Sequence, residues 1–320
     1  MPTKRLLLKD VKNWEKPKKH ICCVVDTECT FMSEQSRLVY EIAWCISDLN
    51  DIENKNYFYK HFYILDTVSN PEAFLQFTKK YTDNGIAKLN FGIDSRYGKV
   101  VKNCFENFHK VETWENVIKQ FNADCLNLGV DTITAYNFMF DFGLNGKKTN
   151  PSGVIRKTHA QYTHKTFYFP TKVKHFCLME WVCRTLINKN YFLWIDSLSE
   201  SQKTKMQTAK GNNSYSAESV LRYLNQDVDY IEEHTALRDC FLEMHLAKFC
   251  YARYWKTLKY FVGTPKKSLV KMVSWKKIAD EVSSKDKIAE KIEWLETVMG
   301  VKETLTTSNS LRQLRLELRD

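Results

Sequence analysis

The chain has 320 residues, of which 43% are hydrophobic and 13% aromatic, enough for one sizeable core and a small appended domain. Its net charge of +10 favours a polyanionic partner without naming one, because charge describes association and not fold. The basic segment 1–20 holds only a three-leucine apolar stretch, which is too short for the core of a signal peptide or for a bilayer span, so we expect no membrane partner.

The ten cysteines are scattered along the chain and form no C-x-x-C pair. A chain with this much apolar material does not need disulfide bonds to hold its core together. We therefore predict reduced thiols and a reducing intracellular compartment, with the cytoplasm as the first choice.

Three strand-like segments follow one another near the start of the chain. Residues 21–27, with the sequence ICCVVDT, form a continuous apolar run that ends in carboxylates, as expected for a central strand buried on both faces. Leu38–Asp48 and Tyr57–Asp66 are two further strand-like stretches with turn residues between them. We therefore expect an antiparallel meander of three strands.

The hydrophobic period then changes to that of helices. Asn70–Tyr81 and Val111–Gly129 have apolar residues at helical spacing, the first with proline near its start and the second with glycine as a stop. Asp131–Asn137 is a short β-rich run, and Ser216–Gln226 and Tyr230–Phe249 are two more amphipathic helices. This order predicts an α/β fold with a mixed sheet.

Two stretches, 142–179 and 253–277, combine lysines with aromatic residues and contain no acidic side chain. Cations that follow phosphates and rings that stack on bases suit a single strand of nucleic acid, and we favour this use for 147–174. The alternative there is a solvated loop with a few rings in the core. For 253–277, nucleic-acid binding, docking of a protein partner and an ordinary helical core remain open.

Acidic residues at three places carry the candidate chemistry, and each has an ordinary structural explanation when taken alone. Asp26 and Glu28 lie two apart at the end of the first strand, so both carboxylates point to one face and suit a hard cation. Asp141 follows a later strand, where it equally suits the first turn of a helix. His234 and Asp239 lie five residues apart on the predicted final helix, where a surface pair is common.

The three motifs together, in this order and on these elements, outweigh the separate explanations. D-x-E on a first strand, Y-N-x-x-F-D after a later strand and H-x-A-L-x-D on a final helix resemble the DEDD exonucleases of the histidine subtype, also described as DnaQ-like or RNase T-like. The resemblance covers about residues 20–250. It implies an RNase H-like fold, in which a mixed five-stranded sheet is flanked by helices and the carboxylates meet at the centre of the sheet.

The resemblance further implies a metal-dependent 3′–5′ exonuclease that shortens single-stranded or frayed nucleic acid, with DNA favoured over RNA. Asp26, Glu28, Asp141 and Asp239 would bind two Mg²⁺ or Mn²⁺ ions, directly or through water, and His234 would take the proton of the attacking water. An imidazole with an unperturbed pKa of about 6.5 suits that task near neutral pH.

One departure from the family pattern affects the 3′ end. Family members usually continue the first motif as D-x-E-T-T-G, whereas this chain keeps Thr30 and has Phe31 in place of the glycine, so the terminal nucleotide is expected to stack on that ring. The predicted substrate-binding residues are Thr30, Phe31, Asn137, Lys147, Lys148, Arg156, Lys157 and Lys165.

The predicted organisation is a basic tail over 1–19, an exonuclease domain over 20–250 with a basic insertion around 145–215, and a basic, aromatic and helical extension over 251–320. The extension is the candidate for binding a protein partner or for self-association.

Two other functions remain open. One is an exoribonuclease that uses the same site, because a contact to the 2′-hydroxyl is not legible in the sequence. The other is a nucleic-acid-binding or scaffold protein that has lost the chemistry, against which the complete set of acidic residues argues. A zinc site is disfavoured because the spacing of its potential ligands fits no recognisable pattern. Those potential ligands are His159, His164, His175, Cys177 and Cys183.

Overall fold

The computed structural model describes most of the chain between residues 16 and 263, and the statements below concern those residues. The described ranges are 16–30, 37–54, 57–70, 79–81, 87–89, 96–143, 153–170, 172–187, 189–208, 210–232, 234–259 and 261–263. The chain divides into two compact units, each of which is made of separate stretches of the sequence. The sheet unit comprises His20–Cys177 and Glu233–His245, and the helical unit comprises Met1–Lys19, Leu178–Glu232 and Leu246–Asp320.

The sheet unit is built on a mixed sheet whose six described strands have the order β6-β3-β2-β1-β7-β8. The first three strands form the predicted antiparallel meander, while β7 pairs with β1 and with β8 in parallel. The strands are β1 Ile21–Cys29, β2 Val39–Asp48, β3 Phe58–Ile64, β6 Val111–Glu112, β7 Thr132–Ala135 and β8 Lys174–Cys177, and β4 Lys79–Tyr81 pairs with β5 Ala87–Leu89 in a separate sheet.

This architecture confirms the predicted α/β class and is consistent with an RNase H-like fold. The expected five-stranded sheet is extended by β6, a two-residue strand that pairs in parallel with the edge of β3. β1 lies inside the sheet, between β2 and β7, and its residues 22–25 are wholly buried, as expected for a strand covered on both faces.

Helices cover both faces of the sheet. The Trp44 indole on β2 donates a hydrogen bond to the Asp124 carboxylate of α3 at 3.1 Å, which places α3 on one face. The Cys240 thiol of α10 lies 3.2 Å from the Ala43 carbonyl oxygen on the other face. The described helices are α1 Leu65–Val68, α2 Arg96–Glu106, α3 Trp114–Asn127, α4 Phe138–Asp141, α5 Val154–Thr163, α6 Leu178–Thr185, α7 Lys189–Ser197, α8 Glu200–Lys205, α9 Ala217–Asn225 and α10 Ala236–Leu258.

The predicted helix over 230–249 is wrong at its start, because α10 begins at Ala236 and extends to Leu258. His234 has a left-handed backbone with φ of 52°, which cannot continue an α-helix. The Thr235 carbonyl oxygen accepts from the Asp239 amide at 3.0 Å, so threonine, a favoured N-cap residue, precedes the first helical residue.

Other predicted helices have mixed outcomes. The prediction over 216–226 is confirmed by α9, whose Ser216 cap accepts a hydrogen bond from the Ser219 amide at 3.2 Å. The predicted helix over 70–81 lies outside the described residues except at its ends, and its last three residues form β4. Of the predicted extension over 251–320, the part after residue 263 lies outside the described residues.

The helical unit has its own buried polar contacts. The Trp181 indole donates to the Thr257 hydroxyl at 2.9 Å, and the Tyr191 hydroxyl donates to the Ser214 carbonyl oxygen at 2.7 Å. In the part of the chain that the structure describes, no helix has the length and apolar character needed to cross a bilayer.

Candidate metal centre

Asp26 and Glu28 lie on the face of β1 that α10 covers. They are two residues apart on a regular strand, so both side chains leave the sheet in the same direction. On β2, Asp26 is paired with Ala43 and Glu28 with Glu41, and directly opposite residues of an antiparallel pair share a face. The sheet therefore concentrates carboxylates at the end of its central strand.

Asp239 reaches the same place from α10. It lies in the first turn of the helix, next to Cys240, whose thiol is 3.2 Å from the Ala43 carbonyl oxygen and 3.7 Å from that of Val24. These contacts hold the start of the helix close to β1 and β2. One carboxylate oxygen each from Asp26, Glu28 and Asp239 lies within 4.8 Å of the others, which is a spacing that one cation can bridge.

The electrostatics of this group oppose ionisation. The pKa of Asp26 is raised well above its usual value, first by burial and then by the negative charges of Asp141, Asp239, Glu28 and Glu41. Carboxylates brought this close repel one another when charged, and a divalent cation would remove both penalties. The arrangement is chemically suited to a hard cation with oxygen ligands.

Asp141 lies beside this group but outside the set of three. It ends α4, is 3% exposed, and accepts a hydrogen bond from the Thr27 hydroxyl at 2.6 Å. Burial raises the pKa of Asp141 to about 7, while the Thr27 hydrogen bond acts in the opposite direction. The negative charge of Asp141 is also the largest of the neighbouring charges that raise the pKa of Asp26.

His234 is exposed and precedes α10 instead of lying on it. Its φ of 52° is uncommon for a residue with a side chain, although histidine is among the residues enriched there. Asp239 is thus placed by the helix, whereas the position of His234 depends on the loop before it. The five predicted site residues therefore fall into a group of three carboxylates, a neighbouring Asp141 and an exposed imidazole.

The predicted substrate-binding residues have different environments. Thr30 is wholly buried, and its hydroxyl accepts from the amide of Leu38, the residue before β2, at 3.1 Å. Asn137 and Lys165 are exposed, and Lys157 is half-buried. Phe31, Lys147 and Lys148 lie outside the described residues.

Arg156 links the residue after α4 to the aromatic segment that follows α5. It is 7% exposed, and its guanidinium donates to the Phe142 carbonyl oxygen at 2.6 Å and to the Phe167 carbonyl oxygen at 3.1 Å. Its charge also lies over the rings of Phe167 and Phe169. The aromatic residues after residue 165 are therefore partly core, which was one of the two alternatives for this stretch.

The sequence analysis missed a buried pair on the same sheet face as Asp26. The His61 Nε2 atom on β3 is 2.8 Å from the Glu41 carboxylate on β2, and both side chains are less than a tenth exposed. Glu41 lies directly opposite Glu28 on one side and opposite Tyr63 on the other. The two-residue alternation along β2 and β3 tells which residues share a face of each strand. Only the register between the strands shows that Glu41 and His61 are neighbours.

The histidines of the disfavoured zinc site have other roles. His159 Nδ1 lies 3.3 Å from the Trp114 indole nitrogen, and His175 stacks on Phe138 and Phe169. Among the residues that the structure describes, the group of potential metal ligands that come close enough is the carboxylate set of Asp26, Glu28 and Asp239.

No protein-family model matches the sequence, and no curated protein matches it. Among solved structures, the chain is similar to E. coli Exonuclease I in complex with a dT13 oligonucleotide, with 14% identity and a TM-score of 0.42. That match covers 75% of this chain and 43% of the other, so the chain spans less than half of Exonuclease I. A second is the 3′-exonuclease solved for 3′-end specific recognition of histone mRNA stem-loop, with 11% identity and a TM-score of 0.41 over 78% of this chain and 92% of that one.

Proposed function

We propose that this chain is a metal-dependent 3′–5′ exonuclease that hydrolyses phosphodiester bonds from the 3′ end of single-stranded or frayed nucleic acid, with DNA preferred to RNA. The proposal is carried by one observation: Asp26, Glu28 and Asp239, from distant parts of the sequence, offer oxygens within 4.8 Å of one another. A binding module has no need of converging carboxylates in a chain whose net charge is +10.

The donor set fits Mg²⁺ or Mn²⁺, because it consists of carboxylate oxygens without sulfur or imidazole. Asp26, Glu28 and Asp239 would hold one ion, and Asp141 would join them in holding a second. Bound cations would polarise the scissile phosphate, lower the pKa of the attacking water and neutralise the leaving oxygen. The carboxylates contribute by fixing this charge at the end of a rigid central strand, which costs little reorganisation during the reaction.

His234 would accept the proton of the attacking water. Its exposure allows the ring to meet a substrate, and its left-handed backbone is the kind of local strain that clusters at functional positions. Loss of such a general base typically lowers the rate by about 10²- to 10⁴-fold. The free cysteines also favour a reducing compartment, the cytoplasm in first place, as the location of the enzyme.

The test is a gel assay of the full chain with 5′-labelled single-stranded DNA, duplex DNA and RNA in Mg²⁺ or Mn²⁺. We expect a ladder of products shortened from the 3′ end. Asp26→Ala should abolish it, and His234→Ala should slow it by at least about a hundredfold while metal binding, measured by calorimetry, is retained. His164→Ala is the matched control, because His164 is also exposed and has a left-handed φ of 57°.

Each other outcome has a defined meaning. Shortening of RNA alone would make the chain an exoribonuclease. Binding of a polymer without any shortening by the wild type would contradict the enzyme and favour the scaffold function. Equal losses in His234→Ala and His164→Ala would show that backbone strain, and not proton transfer, explains the effect.

A further inference from the structure

The helix α2 and the turn that follows it carry exposed rings among lysines. Phe105 is 78% exposed and Phe108, in the short 3₁₀ turn Phe108–Lys110, is 77% exposed. Lys99 and Lys102 are exposed and precede Phe105 at intervals of three residues, which puts all three on one side of the helix. Lys99, Lys102, Phe105 and Phe108 therefore form an exposed stripe, in which two lysines are followed by two solvent-exposed rings.

A row of paired residues links this helix to the carboxylates. Glu28, Glu41 and Tyr63 are directly opposite one another on β1, β2 and β3, so their side chains share the sheet face of the candidate site. Asn103 of α2 lies close enough to the buried Tyr63 side chain to lower the pKa of its phenol, against the larger effect of burial. The pKa of the Cys104 thiol is raised first by burial and then by the nearby charge of Glu41.

The distance involved is short. Neighbouring strands are about 4.8 Å apart, so Tyr63 lies two spacings, or about 10 Å, from Glu28 along the sheet. The helix packs at the outer end of this row, with Val100 buried and the lysine and phenylalanine side chains turned outward. A linear polymer held at the metal centre would need to extend only a short way to reach the exposed stripe.

The chemistry of the stripe selects a single strand of nucleic acid. The segment 98–110 contains three lysines and one acidic residue, Glu106, so its net charge is positive. Glu106 lies 3.6 Å from Lys102. Two exposed phenylalanine rings are costly in water unless something apolar covers them, and unpaired bases are flat, apolar on their faces and attached to phosphates. A paired duplex keeps its bases stacked inside and would not offer them to these rings.

We infer that α2 and the Phe108–Lys110 turn form a stacking platform on which Phe105 and Phe108 bind consecutive bases of a single strand while Lys99, Lys102 and Lys110 bind its phosphates. This inference rests on the proposed function, because it takes the strand to be the one whose end lies at the carboxylates. It assigns substrate binding to a segment outside both basic stretches singled out in the sequence.

The test measures binding separately from cleavage. Fluorescence anisotropy in EDTA gives the dissociation constant of the full chain for labelled oligothymidylate and oligouridylate, over a range of NaCl concentration. The double variant Phe105→Ala/Phe108→Ala should bind at least about tenfold more weakly, since each base stacked on a ring contributes several-fold. Lys99→Ala should reduce the salt slope by about 0.7, the value for one phosphate neutralised on a single strand.

Leu126→Ala is the matched control, because Leu126 is a 60% exposed apolar residue on α3, which covers the other face of the sheet. Should the alanine variant fail to fold, Phe105→Leu/Phe108→Leu keeps the apolar bulk and removes only the rings. Unchanged affinity in the folded variants would overturn the platform, as would a loss of affinity accompanied by a smaller assembly in sedimentation, which would assign the rings to self-association. If the wild type binds with ring dependence but shortens no polymer, the platform stands and the exonuclease fails.

Discussion

A hydrogen bond from the Thr27 hydroxyl fixes one oxygen of the Asp141 carboxylate at 2.6 Å. Thr27 lies between Asp26 and Glu28 in sequence but faces the opposite side of the strand. A residue that belongs to the core side of β1 therefore sets the position of a proposed metal ligand. Groups that orient ligands in this way commonly change metal affinity about 10- to 100-fold when they are removed.

Thr27→Val removes this hydroxyl with little change of shape. We expect the Mn²⁺ concentration that gives half-maximal cleavage to rise about tenfold, because Asp141 loses the bond that orients it. The free energy of unfolding should fall by about 1–3 kcal/mol, the cost of a buried acceptor that has lost its donor. Activity titrations against Mn²⁺ and urea unfolding measure the two effects.

Thr132→Val is the control for this prediction. Thr132 is also buried, and its hydroxyl is hydrogen-bonded, at 3.0 Å, to the His20 ring and not to a carboxylate. It should lower stability without changing the metal requirement. An unchanged metal requirement in Thr27→Val would show that Asp141 does not act as a ligand.

Residue-level prediction from sequence succeeded where the signal was periodic and failed where it was not. The shared face of Asp26 and Glu28 follows from the two-residue repeat of a strand, and the structure has it. The left-handed backbone of His234 leaves no such trace, since its sequence pattern continues smoothly into that of α10. The pair of Glu41 and His61 was missed because it depends on register between two strands.

At the scale of elements, one glycine decides how closely α5 approaches the end of α4. Gly153 precedes α5 with a φ of 84°, and a Cβ atom there would lie 2.3 Å from the Phe142 carbonyl carbon and 2.4 Å from the Gly143 nitrogen. Both contacts are with backbone, which cannot move aside as a flexible side chain would. Asp141 is the residue before Phe142, so this approach helps to set its position.

Gly153→Ala should therefore destabilise the chain strongly and lower activity. Gly129→Ala is a close control, because its φ of 64° carries the same strain for alanine while no atom lies within 4 Å of the added Cβ. We expect a cost of about 1–2 kcal/mol at position 129, from the left-handed backbone alone, and a clearly larger cost at position 153. Thermal unfolding compares the two, and equal losses would show that the backbone contact has no effect.

Elements with strong apolar patterns could be predicted from sequence, and those defined by contacts could not. β1 and α9 were recognisable because an apolar run and a capped amphipathic helix are local signals. The helix α2 was not recognised, since the glycine at position 98 lies inside it and lowers its helix propensity. The two-residue strand β6 forms only because β3 offers an edge to pair with.

At the scale of the whole molecule, the carboxylates of the candidate site lower the free energy of unfolding when no cation is bound. One carboxylate oxygen each from Asp26, Glu28 and Asp239 is held within 4.8 Å of the others by β1 and the first turn of α10. Without a cation, their mutual repulsion must be balanced by the packing of those elements. Sites arranged for function commonly lower stability in this way, and neutralising them raises it.

Asp26→Asn should therefore raise the unfolding temperature in EDTA by several degrees, since relief of about 1 kcal/mol corresponds to about 2–4 °C in a chain of this size. Mg²⁺ should raise the unfolding temperature of the wild type, because a ligand that binds only the folded state stabilises it, and should raise that of Asp26→Asn much less. Glu53→Gln, which neutralises an exposed carboxylate outside the group, should change neither value. Differential scanning calorimetry with and without Mg²⁺ measures both effects. A lower unfolding temperature for Asp26→Asn in EDTA would mean that the three carboxylates stabilise the fold, through hydrogen bonds, more than their repulsion weakens it.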